Sequence, residues 1–293
     1  MNKKIAVIGL CLLMMTGLSA CYLATGPLRH ETAIRLASAA HMLERHIEVN
    51  GHDITVFERA TQKNAPARLY IAGDGPLWLT GEQMVYEPMV SSNPTPVNPV
   101  ALHLATHDNA TNKFYVARPC QYLSGHRPDE QKGCPNSLWR EGRYGPDVIE
   151  AVNGAIEDIK RRYQITEFQL VGFEGGGVIA LALALRRDDV VSVRTVAAPL
   201  DHKVLTDTYK HPPFNGSVNA ADFAQRLANL PQHHFFGHME EQIPYKAMYD
   251  SYAAAAGSTR CMQFSEIKRA SDDKGFVRNW PIFLKFPVDC KNP

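Results

Sequence analysis

The sequence predicts an α/β protein built on a mostly parallel central sheet with helices on both faces. Three observations carry that prediction. Strand-like and helix-like stretches alternate from Ala67 onward. A glycine-rich corner at residues 171–177 turns one apolar strand into one apolar helix, and two alternating runs flank Asn50-Gly51 ahead of both.

The corner organises the rest. Glu167–Val171 has the short, aromatic and branched composition of a strand, and Val178–Leu185 is an apolar run ended by Arg186-Arg187, as helix C-termini often are. Glycines at 172, 175, 176 and 177 supply the conformational freedom and close packing that a tight strand-to-helix turn requires. Such corners also occur in phosphate-binding folds. Here, however, Gly172-x-x-Gly175 departs from Gly-x-Gly-x-x-Gly, and Glu174 in the turn would repel a phosphate.

Upstream, His46–Phe57 alternates about Asn50-Gly51, the strongest short hairpin signal. Ala67–Ala72 reads as a strand closed by Gly73-Asp74-Gly75. The Pro- and Asn-rich stretch Ser92–Pro99 predicts an exposed loop. Val100–Thr106 reads as a helix, and Lys113–Ala117 as a strand running into Arg118-Pro119-Cys120-Gln121. Ser124–Tyr144, rich in Gly, Pro and Arg, predicts a loop rather than a second domain. In Asp147–Arg162, the spacing of Val148, Ile149, Val152, Ile156 and Ile159 predicts a helix with one face on the sheet.

Downstream of the corner, Val190–Ala198 predicts a strand and Lys203–Ser217 a polar insertion where a cap would lie. A helix over Ala220–Ala228, a strand over His233–Phe236, a helix over Tyr245–Ala256, a last strand over Met262–Ile267 and a last helix over Phe276–Phe286 complete the reading. No internal repeat is evident.

The N-terminus carries a different message. Met1-Asn2-Lys3-Lys4 precedes an apolar run from Ile5 to Gly17, too short for a bilayer span of roughly 20 residues and suited to the core of a secretory signal. Leu18-Ser19-Ala20-Cys21 matches the bacterial lipobox at all four positions, which implies acylation of Cys21 as the mature N-terminus; a plain signal peptide with an incidental cysteine is the simpler alternative. The expected organisation is therefore a signal over 1–20, a lipidated tether over 21–34 and one domain over 35–293. Tyr22 after the cysteine, rather than an aspartate, favours the outer membrane by resemblance to enterobacterial sorting, with the domain facing the periplasm.

The formal net charge of +1 includes Lys3 and Lys4, so nothing in the balance points to nucleic acid. Cys120, Cys134, Cys261 and Cys290 remain after Cys11 leaves with the signal and Cys21 takes lipid. An even number in an oxidising compartment predicts two disulfides. Three pairings are open. Cys120–Cys134 and Cys261–Cys290 are favoured because each closes a short local loop. No Cys-x-x-Cys spacing suggests a metal, and no cofactor is implied.

The corner Gly172-Phe173-Glu174-Gly175-Gly176 resembles the nucleophile elbow of the α/β-hydrolase superfamily, Gly-x-Ser-x-Gly, with Glu174 in the serine position. The resemblance, covering about residues 35–290, implies an α/β-hydrolase fold. It also assigns Glu240, after the His233–Phe236 strand, to the acid position and Asp273, after the last strand, to the histidine position. In that loop, Lys268–Phe276, no histidine occurs, so a base there could only be Asp272 or Asp273, and Glu240 is also readable as a solvated loop carboxylate beside Glu241. Gly73, Asp74 and Gly75, with Gly175, fall where the superfamily supplies the N–H groups of its oxyanion hole, although a plain turn explains the first three equally.

A carboxylate of ordinary pKa is a poor base for a serine hydroxyl. The dehalogenases and epoxide hydrolases of this fold attack with an aspartate on the elbow, but still need a histidine. Glu174 is a methylene longer, and its carboxylate is expected to fold back onto the Gly175 N–H. The reading is a lipid-anchored pseudo-hydrolase of the cell envelope that binds a small apolar or ester-like ligand or an envelope protein. The alternative is an active esterase or lipase-like hydrolase with a carboxylate-containing site, Glu174 acting with His202 or His238.

Overall fold

The computed structural model describes residues 25–75, 91–123, 133–210, 212–237, 243–267 and 274–291. Its N-terminal hairpin joins β1 (Leu43–Val49) to β2 (His52–Ala60) in the register Val49 opposite His52. Asn50 and Gly51 sit at φ 52° and 81° between them. Both angles are positive, as a two-residue turn matching the strand twist requires.

Six further strands follow: β3 (Ala67–Ile71), β4 (Asn112–Val116), β5 (Phe168–Phe173), β6 (Val190–Val196), β7 (Gln232–Gly237) and β8 (Met262–Ile267). They form one eight-stranded sheet in the order β1-β2-β4-β3-β5-β6-β7-β8. β2 runs antiparallel to β1 and β4, and every other pairing is parallel. The parallel strands read as near-continuous apolar runs because helices cover both of their faces.

Those helices are α1 (Thr25–Ala39), α2 (Val100–Thr106), α3 (Pro146–Tyr163), α4 (Gly175–Ala184), α5 (His202–Tyr209), α6 (Tyr245–Ala256) and α7 (Lys274–Phe283). α3 shows why the sequence folds this way. Pro146 and Asp147 open it, Lys160, Arg161 and Arg162 lie in its last turn, and Gln164 caps it in the left-handed region. Its buried stripe from Val148 to Ile159 lies against β1 and β2; each such side chain contributes roughly 1.5–3 kcal/mol. No described helix is long and apolar enough to cross a membrane.

The structure departs from the sequence reading in five places. α1 begins at Thr25, inside the stretch assigned to the tether, with Ala33 and Ala37 buried. Residues 91–99 are not an exposed loop, because Pro94, Thr95, Pro96 and Pro99 are buried. Their backbone is taken up by side chains: Gln121 donates to the Pro94 carbonyl, Arg29 to that of Thr95, and the Tyr122 N–H to the Thr95 hydroxyl. The polar insertion after β6 contains α5, whose N-cap Asp201 accepts from the Lys203 N–H. Ala220–Leu227 is a 3₁₀ helix rather than an α-helix. The last helix ends at Phe283, just beyond Pro281.

Both cysteine pairs are bonded as the local-loop argument favoured, Cys120 to Cys134 and Cys261 to Cys290. Trp139 packs on the first of them.

Candidate functional site

The corner between β5 and α4 is as tight as its glycines suggest. A Cβ at Gly172 would collide with the backbone of Gly176, and one at Gly176 would collide with the Ile71 carbonyl of the neighbouring strand. Glu174 is carried at φ 46°, ψ −126°, a conformation that side chains rarely adopt and that costs of order 1–3 kcal/mol. The strain of this corner is thus borne by a glutamate rather than a glycine.

Asp74, in the loop after β3, faces the corner. The two segments exchange hydrogen bonds. The Asp74 N–H donates to Glu174 Oε2 at 3.1 Å, and the Gly175 N–H donates to Asp74 Oδ2 at 3.0 Å. The expectation that Glu174 would fold back onto the Gly175 N–H is therefore corrected. Asp74 takes that donor, and Glu174, which makes no cap bond to its own helix, reaches across to the Asp74 backbone. A carboxylate at the first N–H of α4 is a favourable anion position, and here the side chain from the facing loop occupies it.

Asp74 is locked in place. Arg118, only 3% exposed, donates to Asp74 Oδ1 at 2.6 Å and through its other nitrogen to the Arg143 carbonyl at 2.7 Å. The Tyr144 hydroxyl donates to Asp74 Oδ2 at 3.1 Å. Burial pushes the Asp74 carboxyl up, but Arg118 and Arg143 outweigh burial and hold it below the usual carboxylate range. The same surroundings raise the Tyr144 phenol far above its ordinary value, chiefly through burial and then through Asp74.

The Asp74–Glu174 exchange lies between two adjoining clefts. One, of about 430 Å³, is lined by Pro96, Val97, Val100, Tyr115 and Phe173 among others, with Gly73, Gly75 and Glu174 at its polar end. The other, of about 290 Å³, is lined by Asp74, Arg143, Tyr144, Leu205 and Phe214. Glu174, Gly75, Ile243 and Tyr245 belong to both. Gly75, at φ 68°, lets its loop lie directly against the Pro94 carbonyl, which brings residues 94–99 in as a wall.

Of the site residues read from the sequence, Glu174, Gly73, Asp74, Gly75 and Gly175 come together here. Glu240 and Asp273 lie outside the described residues, as do His238 and Cys21. His202 is buried behind the second cleft, its ring 6.2 Å from Tyr144 and 5.0 Å from Phe214, and burial lowers its pKa. Arg118, Arg143 and Tyr144 escaped the sequence reading. A signal for Arg118 existed, since it follows a strand predicted to be parallel to the corner strand, and sites in such sheets gather at the strands' C-terminal ends. Among the described residues no cluster of metal-ligating side chains forms.

Comparison with known proteins finds the same architecture in solved structures. The chain superposes on a membrane phospholipase A described as a novel bacterial virulence factor, with TM-score 0.54 and 12% identity over 96% of this chain and 98% of that one. A putative dienelactone hydrolase from Klebsiella pneumoniae subsp. pneumoniae matches with TM-score 0.55 and 14% identity, over 83% of this chain and 95% of that one. An alpha-beta serine hydrolase homologue from Coxiella burnetii matches with TM-score 0.52 and 12% identity, over 82% and 93%. At these identities the likeness is one of fold. No family model and no curated protein matches the sequence.

Proposed function

From the premise that the chain has the α/β-hydrolase fold, we propose that it is a lipid-anchored envelope protein in which hydrolysis has given way to ligand binding. One observation carries the reading. Hydrolases of this fold stabilise the tetrahedral intermediate with the N–H that follows the nucleophile and an N–H from the loop after the third strand. The corresponding donors here, on Gly175 and Asp74, are already bonded to the carboxylates of Asp74 and Glu174. An incoming oxyanion would have to displace two resident negative charges, one of them clamped by Arg118. The absence of histidine from the Lys268–Phe276 loop supports the same reading.

Turnover of p-nitrophenyl esters tests it. Wild type is expected to be inactive. Glu174→Ser, which restores Gly-x-Ser-x-Gly, stays inactive for want of a base, worth on the order of 10²–10⁴ in rate. Glu174→Ser with Asp273→His stays low as well, because Asp74 still holds the Gly175 N–H. Rapid turnover by wild type, abolished in Glu174→Ala, would show instead an active hydrolase with a carboxylate nucleophile.

The anchor is supported by Leu18-Ser19-Ala20-Cys21. Radiolabelled palmitate is expected to mark the wild-type chain in a bacterial host and not Cys21→Ser; equal labelling of both would remove the anchor.

A further inference from the structure

We propose that the two clefts flanking Glu174 form one bipartite site for a single-chain amphiphile with an anionic head, the head held by Arg143 and the chain lying between Tyr115, Phe173 and residues 96–100. The proposal rests on the ligand-binding reading above and deepens it by naming the ligand's chemistry.

Arg143 is the residue that points there. It is a cation only 7% exposed, a placement that ordinarily demands an acidic partner. Its Nε donates to the Arg140 carbonyl, and its guanidinium lies over the Phe214 ring with Cζ 4.0 Å from the centroid. No carboxylate among the described residues lies within ion-pair distance of it. Asp74, which feels its charge, is bonded instead to Arg118. The Arg143 ηN–H groups meet no acceptor among the described residues, and the side chain forms part of the wall of the 290 Å³ cleft.

Arg143 is therefore a buried cation, fixed by the Arg140 carbonyl and by an aromatic ring, whose remaining donors border a cavity. A planar or tetrahedral anion matches that fork.

The adjoining 430 Å³ cleft has the opposite character. Pro96, Val97, Pro99, Val100, Ala101 and Phe173 offer it carbon surface, and Val97 is 62% exposed at its rim. Gly75, Glu174, Ile243 and Tyr245 border both cavities, so the two adjoin; in the proposed complex the ligand's chain lies in the first and its head in the second. Neither part alone uses the whole site. Inorganic phosphate would leave the apolar wall bare, and a neutral alcohol would leave Arg143 without an anion.

The test is calorimetric titration of the mature protein with decanoate, decylphosphonate, decanol and inorganic phosphate, each below its aggregation threshold. None is an ester, so the outcome does not depend on whether the protein hydrolyses esters. The two decyl anions are expected to bind at least tenfold more tightly than decanol and than phosphate. Arg143→Gln should lower both anions to decanol's level, Arg143→Lys should retain part of their advantage, and Val100→Trp, which fills the apolar cleft, should weaken all three decyl compounds. Unfolding midpoints establish that each variant is folded; should Arg143→Gln not fold, Arg143→Lys and Val100→Trp carry the test.

Equal affinity of wild type for decanol and the anions would overturn the proposal. Anion affinities untouched by either Arg143 variant would overturn it too, as would phosphate binding as tightly as decylphosphonate, or binding of none of the four. Each of those results would leave the assignment of an inactive corner standing.

Discussion

Two aspartates in this molecule, one buried and one half-buried, have nearly the same partners and different consequences. Asp74 takes Arg118, the Tyr144 hydroxyl and the Gly175 N–H; Asp108 takes Arg68, the Tyr70 hydroxyl and the Ala110 N–H. Their exposure is inverted. Asp108 is 1% exposed and its arginine 17%, whereas Asp74 is 15% exposed and its arginine 3%. At Asp108 the acid is the buried member, its Tyr70 partner held in turn by a hydrogen bond from Trp280, and the cation reaches the edge. At Asp74 the cation is sealed in and the acid borders a cavity. An identical set of groups therefore serves as a brace in one place and shapes a cleft in the other. The difference lies in which member of the pair is left facing space.

Removing each acid should separate the two cases. Asp74→Asn strands Arg118, the more deeply buried cation, and is expected to cost roughly 3–5 kcal/mol in urea unfolding at pH 7. The sign of its pH dependence follows from the lowered pKa. The folded carboxyl lies below its unfolded value of about 3.9, so its stabilisation is complete above that pH and fades as pH falls through the folded value. The gap between wild type and Asp74→Asn should thus be widest near neutrality and close in acid; a gap that persisted undiminished to pH 2 would refute the pairing with Arg118.

Replacing Cys120 and Cys134 by serine should cost about 2–4 kcal/mol. It should also weaken the clamp on Asp74 specifically, since Arg118 precedes Cys120 by two residues; an equal effect on the Asp108 brace, read by hydrogen exchange, would deny that link.

Asp108→Asn should cost less, roughly 1–3 kcal/mol, because Arg68 can turn to solvent and keeps Gln169. Ligand affinity at the Glu174 clefts should not change. The smallest effect is expected at Glu174→Gly, where relief of the strained φ is offset by loss of the bond to the Asp74 N–H. The net is a gain of about 1 kcal/mol, seen as a raised urea midpoint.

The fold was legible in the sequence because its signals are local. Asn50-Gly51 fixes the hairpin, and the glycines at 172 and 175–177 fix the corner. The site was half legible. Gly73–Gly75 and Glu174 declare themselves through position relative to strands, but Arg118 and Arg143 act on Asp74 across 44 and 69 positions of chain. No spacing rule connects such residues; only the sheet order that lays β4 beside β3 does. The wall at 94–99 was misread for the related reason that prolines mark irregular backbone, and irregular backbone is buried when side chains such as Gln121 and Arg29 satisfy its carbonyls.

The hydrogen-bond exchange between Asp74 and Glu174 also bears on how such a chain can change by single substitutions. Serine at 174 alone leaves the Gly175 N–H occupied. A small residue at 74 alone leaves Arg118 charged and buried without its acid. Loss of Arg118 alone leaves Asp74 without its clamp and the Arg143 carbonyl without its donor. Each single substitution therefore leaves one half of the exchange in place or leaves one of its partners unmatched, so two short loops 100 positions apart in the chain constrain one another's residues as tightly as neighbours do.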